Sequence, residues 1–358
     1  MSSCPRAEYP RPDLVRAKWQ NLNGRWQFCL DPGLSGVSRG LANPGTNLPQ
    51  EIVVPFCPES RLSGIANTDF MGGVWYRRTF TIPEDWSGRR IILHFGAVDY
   101  LAHVWVNGKL LGSHRGGYSP FSFDMTDALG AGTNVLTVFA EDDTRSPLQP
   151  SGKQSIRYES HGCHYTRTTG IWQTVWMEPV PDAHVTGLRF VPDLHQAKVL
   201  VEIHASKAAE GARAEITLKA GGENVGSGEG HFIGGVAFVV VPVGSVRLWS
   251  PEDPFLYDVS VRVRAVGHAV DEVESYMGLR TLGTRGRALL LNGQARFQRL
   301  VLDQGFYPDG IYTAPTDEDL KRDIEISQAA GFDGARLHMR VFEPRFLYWA
   351  DKLGYLAW

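Results

Sequence analysis

The chain has 358 residues, 43% of them hydrophobic, which is enough to build the cores of two or three domains. Its 36 basic and 39 acidic residues give a net charge of -3, which offers no basic surface for nucleic acid. The most apolar run, from Phe232, is too short and too rich in glycine to span a bilayer, so neither nucleic acid nor a membrane is an expected partner.

The cysteines and the amino terminus predict a cytoplasmic protein. Cys4, Cys29, Cys57 and Cys163 are widely spaced and form no C-x-x-C pair, so neither a zinc site nor a redox motif is predicted. A chain of this size does not need disulfides, and we expect reduced thiols. The first residues carry no apolar segment typical of a signal peptide. No metal and no cofactor are expected.

Short alternating apolar runs separated by turn residues fill the first 180 residues. The clearest runs are WYRRTFTI from Trp75, RIILHFGAV from Arg90, LAHVWVNGKLLGSH from Leu101 and NVLTVFAED from Asn134. The pair Asn107 and Gly108 is typical of a type I′ hairpin turn. Many strands at this spacing predict a β-sandwich or jelly roll.

A second group of strands follows a boundary marked by Pro179 and Pro181. Its runs are VTGLRFV, KVLVEIHAS, AEITLKA, VAFVVVPV and LYDVSVRVRAV. About a hundred residues with this many strands is the size of an immunoglobulin-like sandwich. The glycine-rich stretch 221–230 is predicted to be a loop, and its GSGEG is not a dinucleotide fingerprint because no helix follows it.

The last segment changes period and predicts strands alternating with helices. An Asn-Gly turn at Asn292 precedes an apolar strand that passes through Val301. Thr316 is a good N-cap for a helix, and Pro344 opens a second helix. Further strands are predicted in FDGARLHMR and YLAW. Strand, helix, strand, helix, strand is the start of a parallel α/β fold.

These segments resemble glycoside hydrolase family 2, the family of β-galactosidases, β-glucuronidases and β-mannosidases. The matching stretches are GGVWYRRTF, VWVNGKLLGSHRGGYSPFSFDMTDAL, TGIWQTVWMEPV, LWSPEDPFLYDVSV, LNGQARFQRLVLDQGFYPDG and AAGFDGARLHMR. The resemblance implies a mostly β chain with a jelly-roll, sugar-binding-like domain at 1–180 and an immunoglobulin-like sandwich at 181–282. The first βαβαβ portion of an incomplete TIM (β/α)8 barrel is implied at 283–358.

The implied chemistry is retaining hydrolysis of a β-glycosidic bond in a β-galactoside or β-glucuronide. That reaction needs two carboxyl groups about 5–5.5 Å apart, one as nucleophile and one as acid and then base. In the family both are glutamates on barrel strands four and seven. A chain truncated in strand three is therefore expected to lack both catalytic residues and to be inactive alone. A carbohydrate partner is implied, and assembly into a homo-oligomer is left open.

Barrel enzymes place their chemistry at the carboxyl ends of the strands, which directs attention to the residues that end the first two strands. Asp303 and Gln304 end the first, and Arg336 and His338 end the second. The family resemblance implies that an arginine and a following histidine line the sugar pocket. Arg336 matches, whereas His338 follows it by two residues rather than three. Alternatively, Arg336 and Asp303 form a structural ion pair. Trp358 is either a sugar platform or a barrel-core aromatic.

The loop HGCHYTRTTGIWQ is a second candidate for the same pocket. Tyr165, Arg167 and Thr168 could reach substrate hydroxyls, or the loop could simply pack the first domain on the barrel. Family members often carry an acidic residue in this loop, whereas this chain has Cys163 and His164. With His161 nearby, no fourth ligand completes a metal site.

The acidic run 141–143 ends a strand, where neighbouring side chains point to opposite faces. We therefore expect a solvated turn and no catalytic pair. Three functions stay open: part of a β-glycosidase, a non-catalytic carbohydrate-binding protein, or a structural or assembly module. Glycan binding without hydrolysis would favour the second function, and the absence of both would favour the third.

Overall fold

A computed structural model describes residues 4–265, 267 and 269–358 of the chain. These residues form two β-sandwiches followed by a small α/β unit, and each of the three has its own hydrophobic core. In this described part of the chain, neither α-helix is long and apolar enough to cross a membrane.

The first sandwich is built from short antiparallel strands. They are β1 (Gln20–Asn21), β2 (Gly24–Leu30), β3 (Gln50–Val54), β4 (Gly73–Thr81), β5 (Arg90–Phe95), β6 (Val98–Asp99), β7 (Leu101–Val106), β8 (Lys109–Arg115), β9 (Phe121–Asp124), β10 (Thr133–Glu141), β11 (Gly170–Ile171) and β12 (Val175–Val180). A six-stranded sheet, in the order β3-β2-β4-β10-β7-β8, packs on a four-stranded sheet, in the order β1-β12-β5-β9. Side chains from both sheets, such as Tyr76 and Phe95, form one core. The β7–β8 hairpin turns at Asn107 and Gly108, which both have positive φ, so the predicted turn is confirmed.

The second sandwich follows directly. Its strands are β13 (Val185–Asp193), β14 (Lys198–Ala205), β15 (Arg213–Ala220), β16 (Glu223–His231), β17 (Val236–Pro242), β18 (Tyr257–Arg264) and β19 (Asp271–Met277). A three-stranded sheet, β13-β14-β17, faces a four-stranded sheet, β16-β15-β18-β19. Along β14 every second residue is buried, namely Val199, Val201 and Ile203, because side chains alternate between the two faces of a strand.

The prediction of a loop at 221–230 is wrong for most of this stretch, because Gly226, Gly228 and Gly230 lie on β16. These glycines lie close to the backbone of β17. A Cβ on Gly228 would stand 2.7 Å from the Val240 carbonyl oxygen. The missing side chains therefore let the two sheets approach along this edge, which a count of turn-forming residues does not reveal.

The α/β unit begins with a small antiparallel sheet and continues with a parallel one. Its elements are β20 (Leu282–Arg285), β21 (Ala288–Leu291), β22 (Gln294–Ala295), β23 (Leu300–Asp303), α1 (Asp317–Ala329), β24 (Gly334–Leu337), α2 (Pro344–Leu353) and β25 (Leu356–Ala357). Strands β23, β24 and β25 are parallel neighbours, and the described strands form no closed barrel. The predicted helix starts are confirmed, because Thr316 is the N-cap of α1 and Pro344 is the first residue of α2. Asp319 completes a capping box with Thr316, and Gly354 caps the end of α2 with φ of 74°.

The amino-terminal segment connects all three units through buried arginines. Arg16 forms a two-pronged ion pair with Asp271 of the second sandwich, at 3.0 and 2.8 Å, and donates to Glu178 of the first sandwich at 3.0 Å. Arg6 forms a similar pair with Glu343, just before α2, at 3.1 and 2.7 Å. Both guanidinium groups are almost completely buried, so these pairs hold the units in a fixed relation.

We expect Arg16→Ala to lower the free energy of unfolding by about 3 kcal/mol, because the buried Asp271 carboxylate loses its guanidinium partner and Glu178 keeps only Arg11 and His94. Urea unfolding followed by tryptophan fluorescence measures this loss. The matched control is Arg189→Ala, since Arg189 pairs with Glu202 at an exposed site. Its loss should stay below about 1 kcal/mol. Equal effects of the two changes would show that the buried pairs do not stabilise the assembly.

Candidate functional site

The carboxyl ends of β23 and β24 lie side by side and carry a histidine ready to donate a hydrogen bond. The His338 backbone N–H donates to the Asp303 carbonyl oxygen at 2.8 Å, and the Gln304 amide donates to His338 Nδ1 at 3.3 Å. Partial burial, together with the charges of Arg336 and Lys153, lowers the pKa of His338. His338 is therefore mainly neutral at pH 7, with its proton on Nε2, which leaves an N–H available to a ligand.

Arg336 lies on the sheet face that turns away from the helices. Its register partner is Leu302, which is 51% exposed, and Arg336 is exposed as well. The Arg336 guanidinium makes no hydrogen bond or ion pair with another residue of the described chain, so the alternative of an ion pair with Asp303 is wrong. Its guanidinium donors are therefore uncommitted beside His338.

Asp303 faces the other way, and this corrects its assignment to the sugar pocket. It is the register partner of Leu337, which packs against the core formed by α1 and α2. Its carboxylate accepts a 2.8 Å hydrogen bond from the Gly305 backbone N–H, and burial raises its pKa. Because neighbouring residues of a strand alternate between faces, Arg336 and Asp303 cannot both face one pocket in this register.

The predicted loop of the first sandwich does reach the strand ends. The ring of Tyr165 stacks on Phe306, just after β23, with centroids 4.2 Å apart. Gly152 lies so close to the Met339 carbonyl oxygen that any side chain would clash, and its φ is +58°. The Tyr165 hydroxyl forms no hydrogen bond with another described residue. Tyr165 therefore presents a free hydroxyl beside the strand ends.

Arg167 and Thr168, from the same loop, are buried, and this corrects their expected contact with substrate. Arg167 is 1% exposed, and its terminal nitrogens donate to backbone carbonyl oxygens, including those of Ser155 and Thr68. The Thr168 backbone N–H donates to the Gln154 side chain at 2.8 Å. Both residues therefore stabilise the conformation of the loop. The buried Arg167 guanidinium is tolerated because backbone carbonyl oxygens accept its hydrogen bonds.

Arg340 is a residue of this region that the sequence patterns did not single out. Its guanidinium donates to the Gly305 and Tyr312 carbonyl oxygens and lies 5.1 Å from the centre of the Trp172 ring. The Tyr312 hydroxyl is 3.0 Å from that of Tyr118 in the first sandwich. Arg340 thus joins the turn after β23 to the first sandwich. The one signal for Arg340 in the sequence is its position two residues after His338.

A buried layer of carboxyl groups supports the loop from below. Asp142 accepts a hydrogen bond from the Thr169 hydroxyl, and Glu59 accepts one from the Thr169 backbone N–H, both at 3.1 Å. Asp99 accepts from Gln154 at 2.7 Å. Burial raises the pKa of Glu59 to about 8 and of Asp142 to about 7. The predicted solvated turn is therefore wrong for Asp142, which is 4% exposed.

The remaining candidate residues are those at the tip of the loop and Trp358. The rings of His161 and His164 stack at the exposed tip of the loop, where Lys153 donates to the Cys163 sulfur at 3.2 Å. The four cysteines are free thiols in the described chain, as predicted. Trp358 directly follows β25, where its carbonyl oxygen accepts a hydrogen bond from the Leu337 N–H, and it lines a groove together with Leu300 at the start of β23.

Comparison with known proteins identifies the family. The profile for "Glycosyl hydrolases family 2, sugar binding domain" matches residues 19–177, and the profile for "Glycosyl hydrolases family 2" matches residues 183–280. The chain belongs to glycosyl hydrolase family 2 and corresponds to the amino-terminal part of its members.

The relatives are longer than this chain. It is 28% identical to a β-glucuronidase of Bacteroides fragilis, over 94% of this chain and 48% of that protein. It is 27% identical to a β-galactosidase of Thermoanaerobacter pseudethanolicus, over 68% of this chain and 34% of that protein. The crystal structure of Ruminococcus gnavus β-glucuronidase matches 99% of this chain and 60% of its own, with a TM-score of 0.81 at 23% identity, which shows the fold alone. The chain thus spans less than half the length of the curated relatives named here.

The raised pKa of Glu59 predicts that stability falls as the pH rises. Between its ordinary pKa and about 8, the folded state keeps a proton that the unfolded state loses, so the unfolding free energy decreases with pH. From pH 6.5 to 8.5 we expect Glu59 to contribute a loss of about 2 kcal/mol. Urea unfolding at both pH values measures this difference.

Glu59→Gln should flatten the pH dependence, because a neutral amide keeps the hydrogen bond without titrating. Glu223→Gln is the control, since Glu223 is exposed on β16. A slope that Glu59→Gln leaves unchanged would show that this carboxyl group does not retain its proton in the fold.

Proposed function

We propose that this chain forms the amino-terminal part of a retaining β-glycosidase that acts on β-glucuronide or β-galactoside substrates. In this proposal residues 1–180 are a jelly-roll domain, residues 181–282 an immunoglobulin-like domain, and residues 283–358 the first βαβαβ portion of a TIM barrel. Relatives with the names β-glucuronidase and β-galactosidase support the substrate class.

The observation that carries the proposal is the meeting of the first sandwich with the carboxyl ends of β23 and β24. Tyr165 stacks on Phe306, which follows β23, and Arg336 and His338 lie at the end of the neighbouring strand β24 with uncommitted donors. Parallel α/β barrels place their sites at these strand ends. A hydroxyl, a guanidinium and an imidazole N–H without an acceptor in the described chain are suited to binding sugar hydroxyls, because each can form a directed hydrogen bond.

The proposed role of these residues is to bind the glycoside, while the nucleophile and the acid/base lie elsewhere in the enzyme. Retaining hydrolysis requires a pair of carboxyl groups about 5–5.5 Å apart. At the ends of the three parallel strands of the described chain, the one carboxylate is Asp303, and it faces the helices. The lack of a carboxylate pair at these strand ends of the described chain also favours a second candidate function, carbohydrate binding without hydrolysis.

The test uses the product of the complete gene that contains this sequence, with 4-nitrophenyl β-glucuronide and β-galactoside as substrates. We expect turnover of one of them, and a loss of tenfold or more in kcat/KM on Arg336→Ala or His338→Ala. Tenfold corresponds to about 1.4 kcal/mol of transition-state binding. The control is Arg285→Ala, whose side chain is exposed on the β20–β21 hairpin.

No turnover of either substrate would contradict a glycosidase of this specificity. Binding of glycans by the same inactive protein would then favour the carbohydrate-binding function, and the absence of binding would favour a structural or assembly role. Turnover that Arg336→Ala and His338→Ala leave unchanged would show that the substrate lies elsewhere.

A further inference from the structure

The most apolar run of the sequence, which begins at Phe232, contains strand β17 of the second sandwich. Alternate residues of β17 are buried in the core, namely Ala237, Val239 and Val241. The residues on the outer face of β17 are apolar as well: Val236, Phe238, Val240 and Pro242. Phe238 is 63% exposed and Val240 is 52% exposed. A strand that is apolar on both faces is typical of a strand that is covered on both faces.

The opposite sheet of the same sandwich has an ordinary polar outer face. The outward residues of β15 are Arg213, Glu215, Thr217 and Lys219, and those of β18 are Asp258, Ser260, Arg262 and Arg264. Antiparallel sheets with one face in solvent alternate apolar and polar residues in this way. The exposed apolar residues of β17 are therefore a local feature, and such patches mark interaction sites.

The register with the neighbouring strands defines the rest of this surface. Its central row, which crosses β13, β14 and β17, consists of Val191, Leu200 and Val240. The row on one side consists of Arg189, Glu202 and Phe238, and the row on the other side consists of Asp193, Lys198 and Pro242. We call these three rows the β17 face. Its centre is apolar, and each outer row holds one basic, one acidic and one apolar residue.

The charges of the two outer rows complement each other under a two-fold rotation. When a second copy packs face to face, with the two-fold axis along the central row, each strand faces the same strand of the second copy and the outer rows exchange places. On β13, Arg189 of one copy then meets Asp193 of the other. On β14, Glu202 of one copy meets Lys198 of the other. Opposite charges therefore face each other on both strands.

The apolar residues of the face match under the same rotation. The central row of one copy meets the central row of the other, and on β17 the Phe238 ring meets Pro242. An apolar centre with a charged rim is the usual composition of a protein interface. The β17 face is therefore complementary to itself in apolar surface as well as in charge.

The other two-fold axis within the plane of the face, parallel to the strands, fails on charge. Because β14 is the middle strand of the sheet, this axis would place Glu202 against Glu202 and Lys198 against Lys198 of the second copy. Like charges that face each other across an interface oppose association. The charge pattern thus selects one orientation of the second copy.

The ion pairs within one copy are compatible with this arrangement. Arg189 donates to Glu202 at 2.9 Å, and the Lys198 ammonium lies 3.9 Å from the Asp193 carboxylate. The Arg189 side chain is 67% exposed, and a guanidinium has five N–H donors, so Arg189 can bind a second carboxylate. The second copy would join the pairs into networks of four charges, which fix the orientation of an interface.

We propose that the β17 face is an interface between two copies of this chain, related by a two-fold axis along the central row. The proposal does not depend on glycosidase activity, because it uses only the second sandwich. Three strands about 4.8 Å apart, with rows about 6.6 Å apart, give a contact of modest area. Contacts at the small end of the range form weak dimers, so we expect a Kd on the order of 10 µM.

The test is sedimentation velocity of the 358-residue chain over a concentration series that spans this Kd. We expect a reversible equilibrium between monomer and dimer. Val240→Asp should raise the Kd about 100-fold, because each new carboxylate would face its own counterpart in an apolar centre. The matched control is Leu110→Asp, since Leu110 is 52% exposed on β8 of the first sandwich and should leave the Kd unchanged. Circular dichroism of each variant reports whether it is folded.

A charge exchange tests the orientation of the two copies. Arg189→Glu should raise the Kd about tenfold, because two carboxylates then face each other on β13. Adding Asp193→Arg should restore the Kd, because opposite charges face each other again. Within one copy the double variant loses both ion pairs, so a purely structural effect would make it worse than the single variant.

The proposal is wrong if the chain stays monomeric throughout the series. A dimer that Val240→Asp leaves intact would place the contact elsewhere, for example at the groove around Phe297 and Trp358. Failure of Asp193→Arg to rescue Arg189→Glu would contradict the two-fold arrangement. A complete gene product that stays monomeric in the same series would show that another segment of that protein covers the face instead.

Discussion

The buried arginine pairs of the amino-terminal segment are the interaction on which the arrangement of the three units depends. A guanidinium removed from water is stable only when carboxylates of suitable geometry surround it. Arg16 obtains them from two different sandwiches, and Arg6 obtains its partner at the start of α2. Each pair can therefore form only when the units are docked, which makes the docking specific.

The candidate site is a consequence of that docking. Taken alone, β23 and β24 offer a histidine and an arginine on an open sheet, and the loop of the first sandwich offers a tyrosine on a surface. Arg340 helps to bring these groups together, because it donates a hydrogen bond to the turn after β23 and lies over the Trp172 ring of the first sandwich. The site thus belongs to the interface between units, where flanking packing fixes the side chains.

The pKa values of the buried carboxyl groups are raised by burial in the fold, and these groups have a structural role. Glu59, Asp99 and Asp142 lie under the loop that carries Tyr165, and their hydrogen bonds run to Thr169 of that loop and to Gln154, which precedes it. Perturbed carboxyl groups are often sought as catalytic residues, yet ion and hydrogen-bond networks shift pKa values as well. This layer supports the loop, while the groups free to meet a ligand, Arg336 and Tyr165, are not buried.

The sequence alone determined most of the elements and their class, although it missed β16. The period of apolar residues, the Asn-Gly turn at 107–108 and the capping box at Thr316 act between neighbours in the chain, so the strands, hairpin and helix could be predicted from them. Only the tertiary structure decided which side chains face the site. Asp303 turned to the helices because the register of β23 fixes its face, and Arg167 was buried because carbonyl groups distant in sequence, such as that of Thr68, satisfy it. Such contacts join residues far apart in the chain, and no local pattern encodes them.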